Sequence, residues 1–215
     1  QVTLHNTTIK HMSYAGILAR TSYILGTNLL LYDIGYYALA LTLGGDYSFY
    51  HSTIGNFWSS RPGHGVRNKP SVFLQNYYKD TADVHHYFDQ KRVYFGNSII
   101  WGNQKNEFGI DPGEEGEFHY QLENSIVALD PDKESLLDTT DQAHFLRCHF
   151  QPDFNFADPF SPDFDYSLDT LSPAKDKGAV HIVYEYPHLL RMDMEGKSRV
   201  EDAGPDMGAL ERKED

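Results

Sequence analysis

Two side chains that could move a proton recur at matching positions in the chain. His11 and Asp33 each lie five residues after a repeated asparagine and are 22 residues apart. Imidazole and carboxylate groups both serve in acid–base catalysis. The next residue in this column is Asn56, which weakens a site built on paired carboxylates. If the protein is an enzyme, we predict His11 and Asp33, with Arg20, as its catalytic residues.

Aromatic side chains stand beside this pair at an equally regular spacing. Tyr14 and Tyr36 each lie eight residues after a repeated asparagine, and Tyr37 and Arg20 fall near the same edge. If successive repeats of the chain stack as neighbouring coils, the two tyrosines lie about 4.8 Å apart. The two tyrosines would form an aromatic shelf, which could stack on sugar rings. Arg20 could then pair with the carboxylate of a uronic acid. The predicted substrate-binding residues are Tyr14, Tyr36, Tyr37, Arg61, His64 and Arg67. The alternative is that these are solvated loop residues, with the tyrosines shielding the coil edge.

A repeat of about 22 residues positions these side chains. Its anchors are Asn6, Asn28, His51, Asn76, Asn97 and Asn124, at steps of 22, 23, 25, 21 and 27 residues. An apolar or aromatic residue stands four positions before each anchor, and the alternation predicts a strand. Asparagine tolerates the left-handed backbone conformation, so stacked turns would align these amides in a hydrogen-bonded ladder.

These units resemble coils of the right-handed parallel β-helix, the pectate-lyase-like fold, in which an asparagine ladder marks one turn. The resemblance predicts an all-β protein: a single-stranded parallel β-helix of about six coils over residues 1–150, with an irregular cap over 151–215. The polar segment 130–143 could form a short helix. Since the chain opens inside a repeat, we expect upstream coils of a longer solenoid to pack on the first one.

The tail contains three sequence blocks in order, Ser172–Gly178, Asp193–Arg199 and Pro205–Glu211. They are similar to the SPAxDxG…DxxGxxR…PDxGAxE segment of bacterial surface-exposed β-helix proteins. Met207 and Leu210 replace the Ile and Tyr of that pattern. The resemblance implies a secreted or cell-surface location. Physically, the glycines suit tight turns and the aspartates suit bonds to backbone amides, so we expect a structural cap.

Composition excludes several classes of partner. The net charge is −13, from 31 acidic and 18 basic residues, which argues against nucleic acid or an anionic membrane. No apolar run reaches the length of a membrane-spanning helix. The single cysteine, Cys148, excludes an intrachain disulfide framework and lies in an apolar strand, where it is expected in the core.

Two classes of function remain after these exclusions. By resemblance, the protein would be a polysaccharide lyase or glycoside hydrolase, using an Arg or Lys base with Ca²⁺ or a pair of carboxylates. The alternative is a non-catalytic adhesion or glycan-binding scaffold. The acidic loop 111–117 could hold Ca²⁺, although it lacks the ligand spacing of an EF-hand, and a solvated turn is the better expectation. His85 and His86 are adjacent and would face opposite sides of a strand, so we predict no metal site there.

Overall fold

The computed structural model describes residues 1–130 and 137–212, which form an all-β protein. Its strands are β1 (Val2–Met12), β2 (Ala15–Ile34), β3 (Tyr37–Tyr50), β4 (Thr53–Asn56), β5 (Val72–Gln75), β6 (Tyr77–Lys79), β7 (His85–Tyr87), β8 (Gln90–Gly96), β9 (Ile99–Gly102), β10 (Phe108–Asp111), β11 (Gln121–Glu123), β12 (Ile126–Val127), β13 (Phe145–Leu146), β14 (His149–Phe150), β15 (Phe156–Asp158) and β16 (Asp165–Leu168). The helices are a 3-10 turn (Trp58–Ser60), α1 (Val180–Val183) and α2 (Pro187–Leu190). Residues 131–136, within the segment where a short helix was considered, lie outside the described residues.

One large parallel sheet contains most of these strands. Within the described residues it has twelve members in the order β13-β11-β8-β3-β2-β4-β9-β12-β14, with β1 on β2 and β5 and β10 branching from β3. The sheet is curled into a half-barrel. The pairs β6–β7 and β15–β16 form two small antiparallel hairpins. The prediction of an all-β protein with parallel strands is therefore confirmed.

The register divides the sheet into three columns of stacked strand segments. The first column contains residues 2–5, 24–27, 47–50, 93–96, 121–123 and 145–146. The second contains 7–12, 29–34, 53–56, 99–102, 126–127 and 149–150. The third contains 15–20, 37–42, 72–75 and 108–111. Long strands such as β2 contribute to all three columns, because the chain passes from one to the next without leaving the sheet.

Alternate side chains of every column enter one apolar core. Phe49, Phe95 and Leu122 stack in the first column, and Leu39 and Leu74 lie in the third, all at most 1 % exposed. This alternation is the period of two expected for strands with one buried face. The other face of each column points outward. The segments that pack on this outward face differ from column to column.

The turns after the first column have the left-handed backbone that the repeat predicted. Asn6, Asn28, His51, Asn97 and Asn124 have φ between 46° and 51°. The Asn28 amide donates to Asn6 Oδ1 at 2.9 Å, and Asn97 Nδ2 lies 2.9 Å from His51 Nε2. Side chains of two pairs of neighbouring turns therefore bond to each other across the sheet.

The placement of Asn76 in that column was wrong. Val72 pairs with Leu39 and Phe108, which puts residues 72–75 in the third column rather than the first. Asn76 instead accepts from Gly113 N at 2.7 Å and holds the following acidic loop. A sixth left-handed corner is supplied by Arg147, with φ 54°.

The C-terminal segment runs along the sides of the sheet. Phe156, Tyr166 and Met207 pack on the outward side chains of the second column, such as Ile99. In the same way, α1 and α2 pack on Tyr50 and Tyr94 of the first column. The described part of this segment contributes nothing to the groove over the third column. The tail thus packs on parts of the first and second columns and leaves the third open.

Residues of the tail blocks, with Ala179 directly after the first block, fasten this segment to the sheet. Arg199 is fully buried, donates to Asn28 Oδ1 at 3.0 Å and pairs with Glu211. Ala179 N donates to Asn97 Oδ1 at 2.7 Å. Gly208 has φ 96°, and a Cβ atom at this position would lie only 2.6 Å from the Thr53 hydroxyl. These residues therefore have a structural role.

Candidate functional site

A groove of about 740 Å³ lies on the outward face of the third column. Its walls are formed by Tyr14, Leu18, Arg20, Tyr36, Tyr37, Ala40, Thr42, Leu43, Lys69, Phe73, Gln75, Tyr78 and Asp111. The strand pairings order these side chains in rows across the coils. Leu18, Ala40 and Phe73 are register partners and form an apolar floor. The groove is thus built on rigid strands, and its shape follows from the register.

Stacked aromatic rings form one end of the groove. Tyr14 and Tyr36 stack with centroids 5.2 Å apart and an interplanar angle of 14°. Tyr37 and Phe73 stack at 5.1 Å and 16°, and Tyr36 meets Tyr37 edge to face. The residue Tyr14 is 58 % exposed. An exposed, preformed ring face of this kind can stack on the apolar face of a sugar.

The Tyr37 hydroxyl at this end of the groove remains a donor over the physiological pH range. Burial, together with the nearby Tyr36, Tyr14 and Asp111, raises the pKa of Tyr37 to about 12. Lys69 lies with Nζ 5.8 Å from the centre of the Tyr36 ring, so a cation stands beside the shelf. The arrangement offers ring faces, hydroxyls and positive charge together.

The other end of the groove is a polar row. Arg20 is a register partner of Thr42, Thr42 of Gln75, and Gln75 of Asp111. Gln75 Nε2 donates to Asp111 Oδ2 at 2.8 Å, and Tyr77 donates its hydroxyl to the same oxygen at 3.0 Å. Arg20 is exposed, and no hydrogen bond within the described residues engages its guanidinium. This row therefore presents one free cation and several hydrogen-bonding groups.

The predicted contact between His11 and Asp33 forms, but it lies outside the groove. His11 Nδ1 lies 2.5 Å from Asp33 Oδ2. Arg61 Nε and His64 Nδ1 lie 3.2 Å and 3.3 Å from Asp33 Oδ1. The Asp33 side chain is only 3 % exposed, and the Arg61 guanidinium covers the Phe164 ring at 4.0 Å. The carboxylate is therefore enclosed by three basic side chains and fastens the 57–67 loop to the second column.

The predicted site residues thus fall into three groups. Tyr14, Arg20, Tyr36 and Tyr37 line the groove, whereas His11 and Asp33 do not. The predicted catalytic set of His11, Asp33 and Arg20 therefore does not converge in one pocket. Arg61 and His64 belong to the enclosed Asp33 cluster and line no part of the groove.

Arg67 was wrongly assigned to the substrate-binding surface. The residue is 1 % exposed, and its guanidinium pairs with Glu107, whose side chain is fully buried. A ligand on the surface cannot reach it. The Pro and Gly residues of segment 59–67 predicted a loop. They did not show whether the arginine side chain at its end is exposed or buried.

The acidic loop is held by its own chain. Asn76 Nδ2 donates to the carbonyl oxygens of Glu115 and Glu117 at 3.2 Å and 3.4 Å, and the Asp111 carboxylate is engaged by Gln75 and Tyr77. In residues 1–130 and 137–212, no group of three or more His, Cys, Asp or Glu side chains is placed to hold a metal ion. The expectation of a Ca²⁺ site receives no supporting geometry from the described residues.

The groove also contains residues that the repeat did not single out. Phe73, Gln75 and Tyr78 belong to the unit around Asn76, which was aligned with the wrong column, whereas Lys69 and Asp111 lie outside the aligned units. The alternation of Val72, Phe73, Leu74 and Gln75 was visible in the sequence. Aligning that segment with residues 39–42 would have placed Phe73 and Gln75 beside the shelf.

An all-β protein with a parallel sheet and an open aromatic groove is the class that the fold and site define. Comparison with known proteins adds no assignment: no family model, curated protein or solved structure matches the chain. Among the described residues, no helix is long and apolar enough to cross a membrane.

Proposed function

We propose that the groove over the third column binds a carbohydrate. The observation that carries this proposal is the exposed Tyr14–Tyr36 stack beside the apolar floor of Leu18, Ala40 and Phe73. Sugars present apolar C–H faces and polar hydroxyl edges, which match a ring stack flanked by a hydrogen-bonding row. The C-terminal segment packs on the other two columns and leaves this face accessible.

The charge in the groove favours an acidic sugar as the ligand. The described residues that line the groove include two cationic side chains, Arg20 and Lys69, and one acidic side chain, Asp111. The Asp111 carboxylate already accepts hydrogen bonds from Gln75 and Tyr77. Arginine pairs with a carboxylate through two parallel hydrogen bonds. A uronic-acid polymer therefore fits better than a neutral glycan, and binding should weaken as salt is added.

Binding rather than hydrolysis is the activity that this geometry supports. Hydrolysis of glycosides generally uses two carboxylic groups on either side of the bond. Asp111 is the single acidic side chain among the described residues that line the groove. A lyase reaction would instead place Arg20 as the base, and release of unsaturated uronide ends in the binding assay would identify it.

The finer architecture and the location follow as parts of the same proposal. Three parallel columns at steps near 22 residues support a right-handed parallel β-helix, since parallel crossovers are almost always right-handed. The three tail blocks support a secreted or cell-surface protein, by their similarity to segments of such proteins. An adhesive or glycan-binding scaffold is the class of function that we favour.

Calorimetric titration with an oligogalacturonide tests the proposal. Tyr36→Ala removes the stack, and Arg20→Gln removes the cation; each should lower affinity roughly 3- to 30-fold, with little change in the free energy of unfolding. Tyr23→Ala is the matched control, because Tyr23 is 51 % exposed and lies outside the groove. Absence of binding by the unmodified protein to acidic and neutral oligosaccharides would refute the proposal.

A further inference from the structure

A hairpin arm extends the groove at its polar end. β6 and β7 pair Tyr77 with Tyr87, Tyr78 with His86 and Lys79 with His85. The arm follows β5 after one residue, and β5 forms part of the groove floor. It therefore begins where the polar row of the groove ends.

The arm is held in place by its own side chains and by the groove wall. Asp80 Oδ1 accepts from Ala82 N at 2.8 Å and Val84 N at 3.0 Å, which closes the turn. Asp80 Oδ2 lies 2.8 Å from His86 Nε2. At the base of the arm, the Tyr77 hydroxyl is bonded to Asp111. The arm thus has a fixed geometry before any ligand arrives.

A second pair of stacked rings lies on this arm. Tyr78 and His86 stack with centroids 4.7 Å apart and an interplanar angle of 13°. Tyr78 is 41 % exposed and lines the groove. The Tyr14–Tyr36 stack precedes the strands of the third column, whereas Tyr78 follows β5. The five steps from Tyr37 to Thr42 alone span about 16 Å, so the two stacks stand at opposite ends of the groove.

We propose that the Tyr78–His86 stack is a second sugar-binding subsite, and that the ligand is an extended oligosaccharide chain. This inference rests on the proposed function and adds the form of the ligand. One sugar stacks on Tyr14 and Tyr36, a later one stacks on Tyr78, and Arg20 lies at the polar row near the arm. A groove with ring platforms at both ends takes consecutive units of a chain rather than a single terminal sugar.

Titration with oligogalacturonides of two lengths, a disaccharide and a hexasaccharide, tests this subsite. The unmodified protein should bind the hexasaccharide more tightly than the disaccharide. Tyr78→Ala should remove that gain, lowering hexasaccharide affinity roughly 3- to 10-fold and disaccharide affinity much less. Tyr78→Phe keeps the ring and should restore the gain. Val84→Ala, at the tip of the same arm, is the control and should bind like the unmodified protein.

The outcomes separate this inference from the proposal beneath it. Tyr78→Ala with unchanged hexasaccharide affinity, in an experiment where Tyr36→Ala weakens binding, overturns the second subsite and leaves the carbohydrate groove standing. Equal losses for the two lengths also overturn it, since Tyr78 would then serve the same sugar as Tyr36. Failure of the unmodified protein to bind either oligosaccharide refutes the groove itself.

Discussion

The buried pair of Arg67 and Glu107 predicts a large loss of stability in Arg67→Met. The guanidinium donates to both Glu107 oxygens, at 2.8 Å and 2.5 Å. It also donates to the carbonyl oxygens of Lys69, Asn56 and the Asn103 side chain, at 2.6 Å, 2.9 Å and 2.9 Å. Methionine fills a similar volume but returns none of these bonds, so the change removes charge and hydrogen bonds without opening a large cavity.

The size of the loss follows from what remains around the carboxylate. Removing one partner of a buried ion pair costs about 3–5 kcal/mol, because the other charge is left uncompensated. Glu107 would keep three donors, the Ser71 amide at 3.0 Å, the Ser71 hydroxyl at 2.7 Å and the Gln104 amide at 2.9 Å. These bonds still stabilise the carboxylate, so we expect a loss near the lower limit, about 3 kcal/mol.

Urea denaturation at pH 7 measures this loss directly. Arg67→Met/Glu107→Leu should recover part of the stability, because it buries no charge. Lys91→Met, at an exposed position, should change the free energy of unfolding by less than about 0.5 kcal/mol. A loss below about 1 kcal/mol for Arg67→Met would refute the structural role. So would a selective loss of oligosaccharide binding at unchanged stability.

Three further predictions concern pH, the thiol and the tail. Burial raises the pKa of Glu211 from 4.5 to about 7, so the folded protein keeps a proton that the unfolded chain releases between those values. Stability should therefore fall by about 3 kcal/mol as pH rises through this window, relative to Glu211→Gln, which has no such titration. Burial raises the pKa of Cys148 from 9.0 to about 12, which cuts its thiolate about a thousandfold, so alkylation at pH 8 should be very slow until the protein unfolds. Gly208→Ala should cost about 1–3 kcal/mol in thermal unfolding, because φ is 96° and Thr53 Oγ1 would lie 2.6 Å from the new Cβ.

Each of these predictions has an outcome that contradicts it. Equal pH slopes for the unmodified protein and Glu211→Gln, measured by urea denaturation from pH 4.5 to 7, would show that this carboxyl does not titrate in that window. Alkylation of native Cys148 at the rate of a free thiol would show that the pKa of this thiol is not raised. An unchanged melting temperature for Gly208→Ala would show that the tail can move away from Thr53.

Much of the strand architecture was accessible from the sequence because the repeat is a packing requirement. Phe49, Phe95 and Leu122 had to share a face if the segments before His51, Asn97 and Asn124 stack. Their left-handed turns follow from the same spacing. This information is local and periodic, and a single sequence can reveal it.

The errors came from segments where the period does not apply. Between His51 and Asn97 the chain inserts a loop and a hairpin, so Asn76 matched the repeat by sequence but not in space. Arg67 turned inward because of Glu107, forty residues away, and no spacing rule connects the two. The shelf of Tyr14 and Tyr36 was foreseen because its offset is periodic, whereas Lys69 reaches it from the irregular segment before β5.

The course of the C-terminal segment has a consequence for how the chain folds and unfolds. Stacked coils that touch only their neighbours can melt from one end, one coil at a time. Here Arg199 bonds to Asn28 across 171 residues, and Asn97 bonds to Ala179 across 82. Such bonds join distant segments of the sheet through the tail, so we expect these segments to unfold as one cooperative unit. Contacts between residues so far apart in sequence form slowly, so docking of the tail should limit the folding rate. The N-terminal strands should therefore complete their folding only after the tail has been synthesised.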